Sequence, residues 1–548
     1  MPMYRIDWGL AAVCMACCFF PEAAGGANAG GPAEGAPARA GGKSAELFAD
    51  VRSKIKQEMA DSNIPSLAVA VAKNGEILWE EAFGWADVQR RVPATVHTMY
   101  SLASVSKPIT ATGLMVLVEQ GKLDLDAPAN RYLAPDGGIK VWIGDPEEVT
   151  LRRVANHTAG LGRHEHFYRA DEFSSKPPME ESIRRYGNIV TLPGERYRYS
   201  NFAYGILDHL LARTSGMTYG EFLRREVFLP LGMTRSAVDI RPELAELVAV
   251  RYDDPETPIP PYTTDHAGAS AVYASVHDLV RFGMFHLGQI GPDQKAILSA
   301  SARAAMQAPT ASLAPVNLAD VNLSSGSCYG IGWVIDDDDL GKRISHGGGM
   351  GGAAAKILML PGEGIVIAAA ANKFCRLPWE IEGDILSALI PGYAEKLAAE
   401  RKKRREAMAA SEKKEYAPVS ELVGDWEGAV RTYAGDFPMT LSFKKSGDIH
   451  ARLGDQLPVL VVNASFSNGR FSGSMAGRLD TGDANRRPWR PQHHLDLDLR
   501  LRGSVLNGAI IAIAGNSLSH WCELRKKAAS ADTERTGPDG SPRAGGKP

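Results

Sequence analysis

Cysteine is scarce: the 548 residues contain six, and Cys14, Cys17 and Cys18 all fall in one apolar run near the start. Cys328, Cys375 and Cys522 are far apart and odd in number, so no disulfide framework is implied, and each reads as a buried small apolar side chain. An excess of charge of one sign is missing too. Lys and Arg number 61 against 64 Asp and Glu, a formal net charge of -3, which gives no electrostatic reason to expect a nucleic-acid partner. After the first thirty residues no stretch is apolar enough to cross a membrane. There is no G-x-S-x-G elbow, Walker loop or dinucleotide loop, which disfavours an α/β-hydrolase or a nucleotide enzyme. His164-Glu165-His166 and His493-His494 lack the i, i+4 spacing of a zincin and any Cys/His framework. They read as surface or loop residues, and neither metal nor cofactor is expected.

What is present divides the chain into segments. Arg5 precedes an apolar run, Trp8 to Phe20, followed by small residues ending Ala27-Asn28-Ala29. That pattern reads as a signal peptide over 1–29, hence an exported protein, periplasmic or secreted; no convincing lipid-attachment box precedes the early cysteines. A Gly/Ala-rich spacer follows over 30–44. From Ala45 a helical pattern runs to Met59; Ser66 to Ala72 and Ile77 to Phe83 then form a β-hairpin across Asn74-Gly75, residues that accept positive φ. The middle, from about 105 to 310, has mainly helical periodicity. Strand character returns at Gly330 to Ile335, Arg343 to Ser345, Lys356 to Leu360 and Gly364 to Ala370, with Asp336 to Asp339 as a hairpin turn. Strands at both ends of a helical middle predict an α+β fold over 45–393, with an antiparallel sheet closed by sequence-distant segments and flanked by helices. Residues 394–417, rich in Lys, Arg, Glu and Ala, predict a helical connector. Over 418–526, short alternating runs separated by Gly, Asn and Asp predict an all-β barrel or sandwich. The polar stretch 527–548 predicts a disordered tail.

A serine hydroxyl is a poor nucleophile at neutral pH and needs a base within hydrogen-bond reach. A lysine three residues later on the same helix face supplies one, and Ser104-Val105-Ser106-Lys107 has that spacing. The spacing also occurs at Ser53/Lys56, Ser411/Lys414 and Ser442/Lys445, so context decides. Pro108 is tolerated only around a helix's first turn, which puts the helix start close to Ser104. Ser104 then sits at the positive end of the macrodipole, where a developing oxyanion is stabilised. Apolar surroundings would ease proton acceptance by Lys107. The other three pairs lie in an amphipathic helix, a charged connector and a β run.

Further segments keep their order along the chain: Asn156-His157-Thr158-Ala159-Gly160-Leu161, Pro193-Gly194-Glu195 leading to Tyr199-Ser200-Asn201, Phe228-Leu229-Pro230-Leu231-Gly232-Met233, and His346-Gly347-Gly348. With Ser-Val-Ser-Lys-Pro, they resemble the serine β-lactamase-like family, which includes class C β-lactamases, penicillin-binding DD-peptidases and esterases. The resemblance implies that Ser104 is acylated, that Lys107 helps deprotonate it, and that Tyr199 shuttles the proton to the leaving group. It assigns Asn201 to the acyl side of the substrate and His346, Gly348 and Gly349 to the substrate-lining strand. An oxyanion hole would form from the backbone N–H groups of Ser104 and Gly349. Tyr186-Gly187-Asn188 is a second Tyr-x-Asn, without the preceding Pro-Gly turn. His157 reads as structural. His346 stands where family members acting on penicillins commonly carry Lys; a histidine is largely neutral at pH 7, which shifts weight from β-lactam hydrolysis toward an esterase or peptidase.

The expected function is therefore an exported serine hydrolase acting on a small-molecule or peptide ester or amide. The alternatives are a non-catalytic cell-wall or partner-binding protein on the same fold, or a true β-lactamase. A third role, control of access by the C-terminal β domain, rests on the stiff connector.

Overall fold

The computed structural model describes residues 46–133, 137–312, 326–410, 416–479, 481 and 493–527. The expected leader and spacer, and the tail from 528 on, lie outside them. Among the described residues no helix is long and apolar enough to cross a membrane.

The strands Ser66–Lys73 (β1) and Glu76–Asp87 (β2) pair antiparallel across Asn74 and Gly75, whose φ values are +52° and +85°. On its other edge β1 pairs with Ile365–Ala371, in a register that sets Ala70 opposite Ala368. The main sheet is thus closed by chain segments some three hundred residues apart. Its nine strands run, edge to edge, from Ala311–Ser312 through Cys328–Tyr329, Val334–Asp338 (β3), Gly341–Met350 (β4), Ala353–Leu360 (β5), Ile365–Ala371 (β6), β1 and β2 to Val92–Pro93. Both faces of β1 are covered. Leu67, Val69 and Val71 pack with Val51 and Ile55 of helix Ala49–Asp61 (α1) and with Ile381 and Ile385 of helix Leu377–Leu389. Ala68, Ala70 and Ala72 pack toward helices Ser106–Glu119 (α2) and Val276–His286. Small side chains on that face allow a close approach of the helices: a Cβ at Gly283 would press into Val366.

Some details correct the expectations. Helix α1 runs Ala49–Asp61, two residues past the expected end at Met59. Asp336, Asp337 and Asp338 belong to β3, and the turn falls at Asp339-Leu340; the Arg343 guanidinium neutralises Asp338 at 2.7 Å, so the acidic run can be strand. Cys522 is buried, but Cys328 and Cys375 are only half-buried. All three are free thiols.

Helix Tyr393–Ala410 leads toward a second antiparallel sheet of alternating pattern. Its order places Gly424–Thr432 (β7), Gly435–Phe443 (β8) and Ile449–Leu453 (β9) on one side of Ser517–Lys526, with Val505–Ile513, His493–Arg502 and Arg470–Gly477 on the other. The two edge strands are Val459–Leu460 and Val462–Ser467. They are separated by one residue, so the chain passes directly from one edge to the other and the sheet curls into a near-closed barrel. Trp426, Leu441, Leu495, Leu497, Leu499, Leu506 and Ile510 fill it. The barrel packs on the preceding α+β part: Val190 meets Ala509, Ile511 and Trp521, and His164–Glu165 adds a short strand to Ser517–Leu518.

Candidate active site

Ser104 lies in a single 3₁₀ turn, Ala103–Val105, directly before α2. This refines the expected geometry, since the α-helix proper begins two residues after the serine. Ala103 has φ +45°, a left-handed conformation uncommon for a residue with a Cβ. Pro108 stands in the first turn of α2, where its missing N–H costs nothing. The helix is buried from Ser106 to Leu117, so Lys107 is fully enclosed.

The Lys107 side chain reaches back along the helix face, and Nζ donates to Ser104 Oγ at 3.0 Å, Asn201 Oδ1 at 2.7 Å and the Ala269 carbonyl at 3.2 Å. A buried amine without such partners would be costly. Tyr199 arrives from the segment before helix Asn201–Ser215 (α3), and its hydroxyl donates to Ser104 Oγ at 2.9 Å. The Tyr199 ring covers Lys107 Nζ at 4.6 Å and lies against the His157 ring, with centroids 4.6 Å apart. An alcohol, an amine and a phenol from chain segments about a hundred residues apart thus share one point.

Strand β4 forms the other wall. It continues past the expected end at Ser345 through His346, Gly347, Gly348 and Gly349, pairing Gly347 with Lys356 and Gly349 with Ala354. A Cβ at Gly348 would lie 2.9 Å from Ser104 N and 3.0 Å from Val105 N, and closer still to the Leu102 carbonyl, so glycine is what lets the strand lie flush with the serine turn. His346 is buried. Its ring makes contacts of 2.8 Å to the Gly347 carbonyl and 3.0 Å to the Tyr329 hydroxyl. The carbonyl can only accept, so Nδ1 carries the proton and Nε2 accepts from Tyr329. Burial, together with the nearby Lys107 charge, pushes the imidazole down to about 3, so His346 is neutral. His157 is held well below its ordinary value by burial first and by Lys107 second. With φ +63° and its Nδ1 accepting from Ser200 N, it shapes the loop beneath Tyr199.

The second Tyr-x-Asn, at Tyr186 and Asn188, lies away from the serine: Asn188 accepts from Trp142 at 2.9 Å. One expectation needs correction. His164 and His166 are not surface residues but are buried, because His164–Glu165 is clamped as a strand against the barrel. His164 Nε2 and His266 Nδ1 lie 2.8 Å and 2.9 Å from the two oxygens of Asp265. Burial opposes that carboxylate's charge, but the two imidazoles win and hold it well below the usual range. Among the described residues, His164, Asp265 and His266 are the group whose ligand atoms cluster closely enough to hold a metal ion. Both carboxylate oxygens are already engaged by imidazole nitrogens, as in a hydrogen-bonded triad. His494, by contrast, is exposed and paired with Asp496 at 2.9 Å.

Sequence reasoning missed two residues near the serine. Glu165 Oε1 stands 3.5 Å from Asn201 Nδ2, and Phe374, 40% exposed, flanks Gly349. No local pattern marks either, since both arrive by long-range packing.

A Beta-lactamase family model matches residues 51–385. The chain belongs to the beta-lactamase family. This family member is 28% identical over 319 residues to penicillin-binding protein 4* of Bacillus subtilis, covering 53% of this chain and 64% of that protein. It is 22% identical over 335 residues to protein flp of Staphylococcus aureus, covering 58% and 62%. The chain thus spans somewhat less than two thirds of these relatives' length. Among solved structures, a class C β-lactamase aligns with a TM-score of 0.54 at 21% identity, covering 64% of this chain and 98% of that one. The octameric penicillin-binding protein homologue from Pyrococcus abyssi aligns with a TM-score of 0.53 at 20% identity, covering 87% and 100%. SurE aligns with a TM-score of 0.58 at 18% identity, covering 89% and 100%. At these identities the likeness is one of fold.

Proposed function

We propose that the chain is an exported serine hydrolase that cleaves an ester or amide through an acyl-enzyme on Ser104, of esterase or peptidase type. The observation that carries this reading is the pair of hydrogen bonds on Ser104 Oγ, from Lys107 at 3.0 Å and Tyr199 at 2.9 Å. For Oγ to attack a carbonyl carbon its proton must leave, and these two groups stand within transfer distance. With its amine in the neutral form, Lys107 takes the serine proton through Tyr199 or directly, and the C–O or C–N bond to the leaving group breaks as Tyr199 returns a proton to it. The oxyanion is held by the N–H groups of Ser104 and Gly349, where β4 runs against the serine turn. Asn201, fixed by Lys107, aligns the acyl side. Water then attacks the ester on Ser104; the same two residues accept its proton and return it to Ser104 Oγ as the acyl C–O bond breaks.

The neutrality of His346 favours a substrate without an obligatory carboxylate at that end of the cleft, because a neutral imidazole offers no charge to meet one. Export rests on the leader pattern of residues 1–29.

Turnover of p-nitrophenyl esters and of nitrocefin by the wild type and Ser104→Ala tests the reading. Ester hydrolysis that falls at least a thousandfold in the variant is expected, with a fluorophosphonate adduct mapped to Ser104 by mass spectrometry. Equal rates in the two proteins, or a folded wild type that takes no label, would refute it and favour a binding role. Fast nitrocefin turnover would reassign the substrate class to β-lactams.

A further inference from the structure

The segment Glu195–Tyr199 has no regular secondary structure and is gripped from two sides. On one side Gly194 N donates to the Thr158 carbonyl and Arg198 N to the His157 carbonyl, both at 2.7 Å. On the other side stands the C-terminal barrel, through the outer face of its strand His493–Arg502. In that strand Leu495, Leu497, Leu499 and Leu501 point into the barrel core, so Asp496, Asp498, Arg500 and Arg502 share the opposite face.

Asp498 accepts from Arg196 at 2.7 Å, from the buried Arg198 guanidinium, and from Arg470 at 2.6 Å. Arg500 and Arg502 pair with Glu195 at 2.6 Å and 2.7 Å. Burial opposes the charge on Asp498, but the three arginines hold its carboxyl well below the usual range. Burial pushes Arg198 down to about 10, with Asp498 offsetting part of the effect. Both groups are therefore charged at neutral pH, and each leaves the other unneutralised if removed. Arg198 immediately precedes Tyr199.

We propose that Asp498, seconded by Arg500 and Arg502, is a positioning residue for Tyr199, so that the C-terminal barrel completes the active-site scaffold rather than being an appended module. This inference rests on the reading of Tyr199 as the proton-transferring partner of Ser104. The domains also meet through Val190, Ala509, Ile511 and Trp521 and through the strand pairing at His164–Glu165. Loss of the Asp498 charge should thus leave the barrel docked while releasing the Arg198–Tyr199 segment from its anchor.

The test uses the full-length chain carrying Asp498→Asn, with ester turnover normalised to folded protein by near-ultraviolet circular dichroism. The expected result is a kcat at least tenfold lower, a KM within threefold of the wild type, and a changed pH–rate profile, because the proton-transferring group is displaced while the binding surface is kept. The paired variant Arg500→Met/Arg502→Met, on the more exposed flank, should lose kcat at least threefold. A wild-type kcat and pH profile in Asp498→Asn would overturn the proposal. Should that variant not fold, a wild-type kcat in the paired variant would do the same. A wild type that neither hydrolyses esters nor takes a fluorophosphonate on Ser104 would instead sink the underlying reading of the site, and this inference with it.

Discussion

Replacing Gly348 by alanine adds one methyl group where β4 lies against the serine turn. That methyl would stand 2.9 Å from Ser104 N and 3.0 Å from Val105 N, and nearer still to the Leu102 carbonyl. Unstrained carbon contacts need about 3.5 Å, and all three neighbours are backbone atoms, which cannot swing aside as side chains do. The turn and the strand must separate by roughly 1 Å. A misplacement of that size costs about a hundredfold in rate, or about 2.7 kcal/mol of transition-state stabilisation, and overpacking costs a further 1–3 kcal/mol of fold stability. Steady-state ester hydrolysis gives kcat/KM, and denaturant melts give stability. Gly351→Ala is the control: among the described residues its methyl would come no nearer than ordinary contact, 3.5 Å from Ile259 and 3.9 Å from Tyr262, so activity should be unchanged. If Gly348→Ala keeps kcat/KM within threefold of the wild type, β4 does not fix the nucleophile and the reasoning fails.

Tyr199→Phe removes one of the two hydrogen bonds to Ser104 Oγ but keeps the ring on His157 and Lys107. We expect kcat to fall by roughly 10²–10⁴ with stability changed by no more than about 1.5 kcal/mol; activity near wild type would remove Tyr199 from proton transfer. Asp208 provides a pH test. Burial pushes its carboxyl up to about 8 from an ordinary 3.8, although Gly268 N–H partly opposes this. Between those values the native state holds more protons than the unfolded chain, so the wild type loses stability as pH rises, at about 1.4 kcal/mol per unit. Asp208→Asn lacks that slope, so its stability relative to wild type should improve by roughly 3–4 kcal/mol from pH 5 to pH 8. Urea melts at the two pH values check this, and a constant difference would mean that Asp208 is ionised in the fold.

Much of this was legible because it is written locally. Ser104 and Lys107 share a helix face by spacing alone, Pro108 marks the helix start, and Asn74-Gly75 takes the positive φ values its turn requires. The family motifs named Tyr199, Asn201 and His346, which no spacing rule brings to the serine. The end of β4 was harder: Gly347 to Gly349 are poor strand formers, yet they pair with β5, and Trp379, the serine turn and Phe374 leave no room for side chains there. Strand β7 was hidden for a similar reason, since Gly428 interrupts its alternation at a point where a side chain would run into the Glu523 carbonyl. Asp498 looked like one polar tooth of an alternating strand. Only the docking of two domains shows it buried among three arginines. His164 and His166 were misread because their burial comes from the barrel, more than three hundred residues downstream.

The strained turn at Ala103 shows why the site needs so much of the chain. A left-handed residue with a Cβ costs on the order of 1–2 kcal/mol and persists only where its surroundings over-determine it. Here hydrogen bonds bracket it: Leu102 N donates to the Val272 carbonyl at 2.9 Å, Val105 N to the Leu102 carbonyl at 3.0 Å, and Val272 N to the Ser106 hydroxyl at 3.0 Å. Gly348 closes the remaining side. These constraints come from β4, from the loop before helix Val276–His286 and from α2 itself, so they form only once the sheet has closed on β1. The nucleophile is therefore held by the completed tertiary fold rather than by its own helix. An isolated segment carrying Ser104 and Lys107 at the right spacing would lack the geometry that brings Tyr199 to them, which is why the same spacing at Ser53/Lys56 carries no such site.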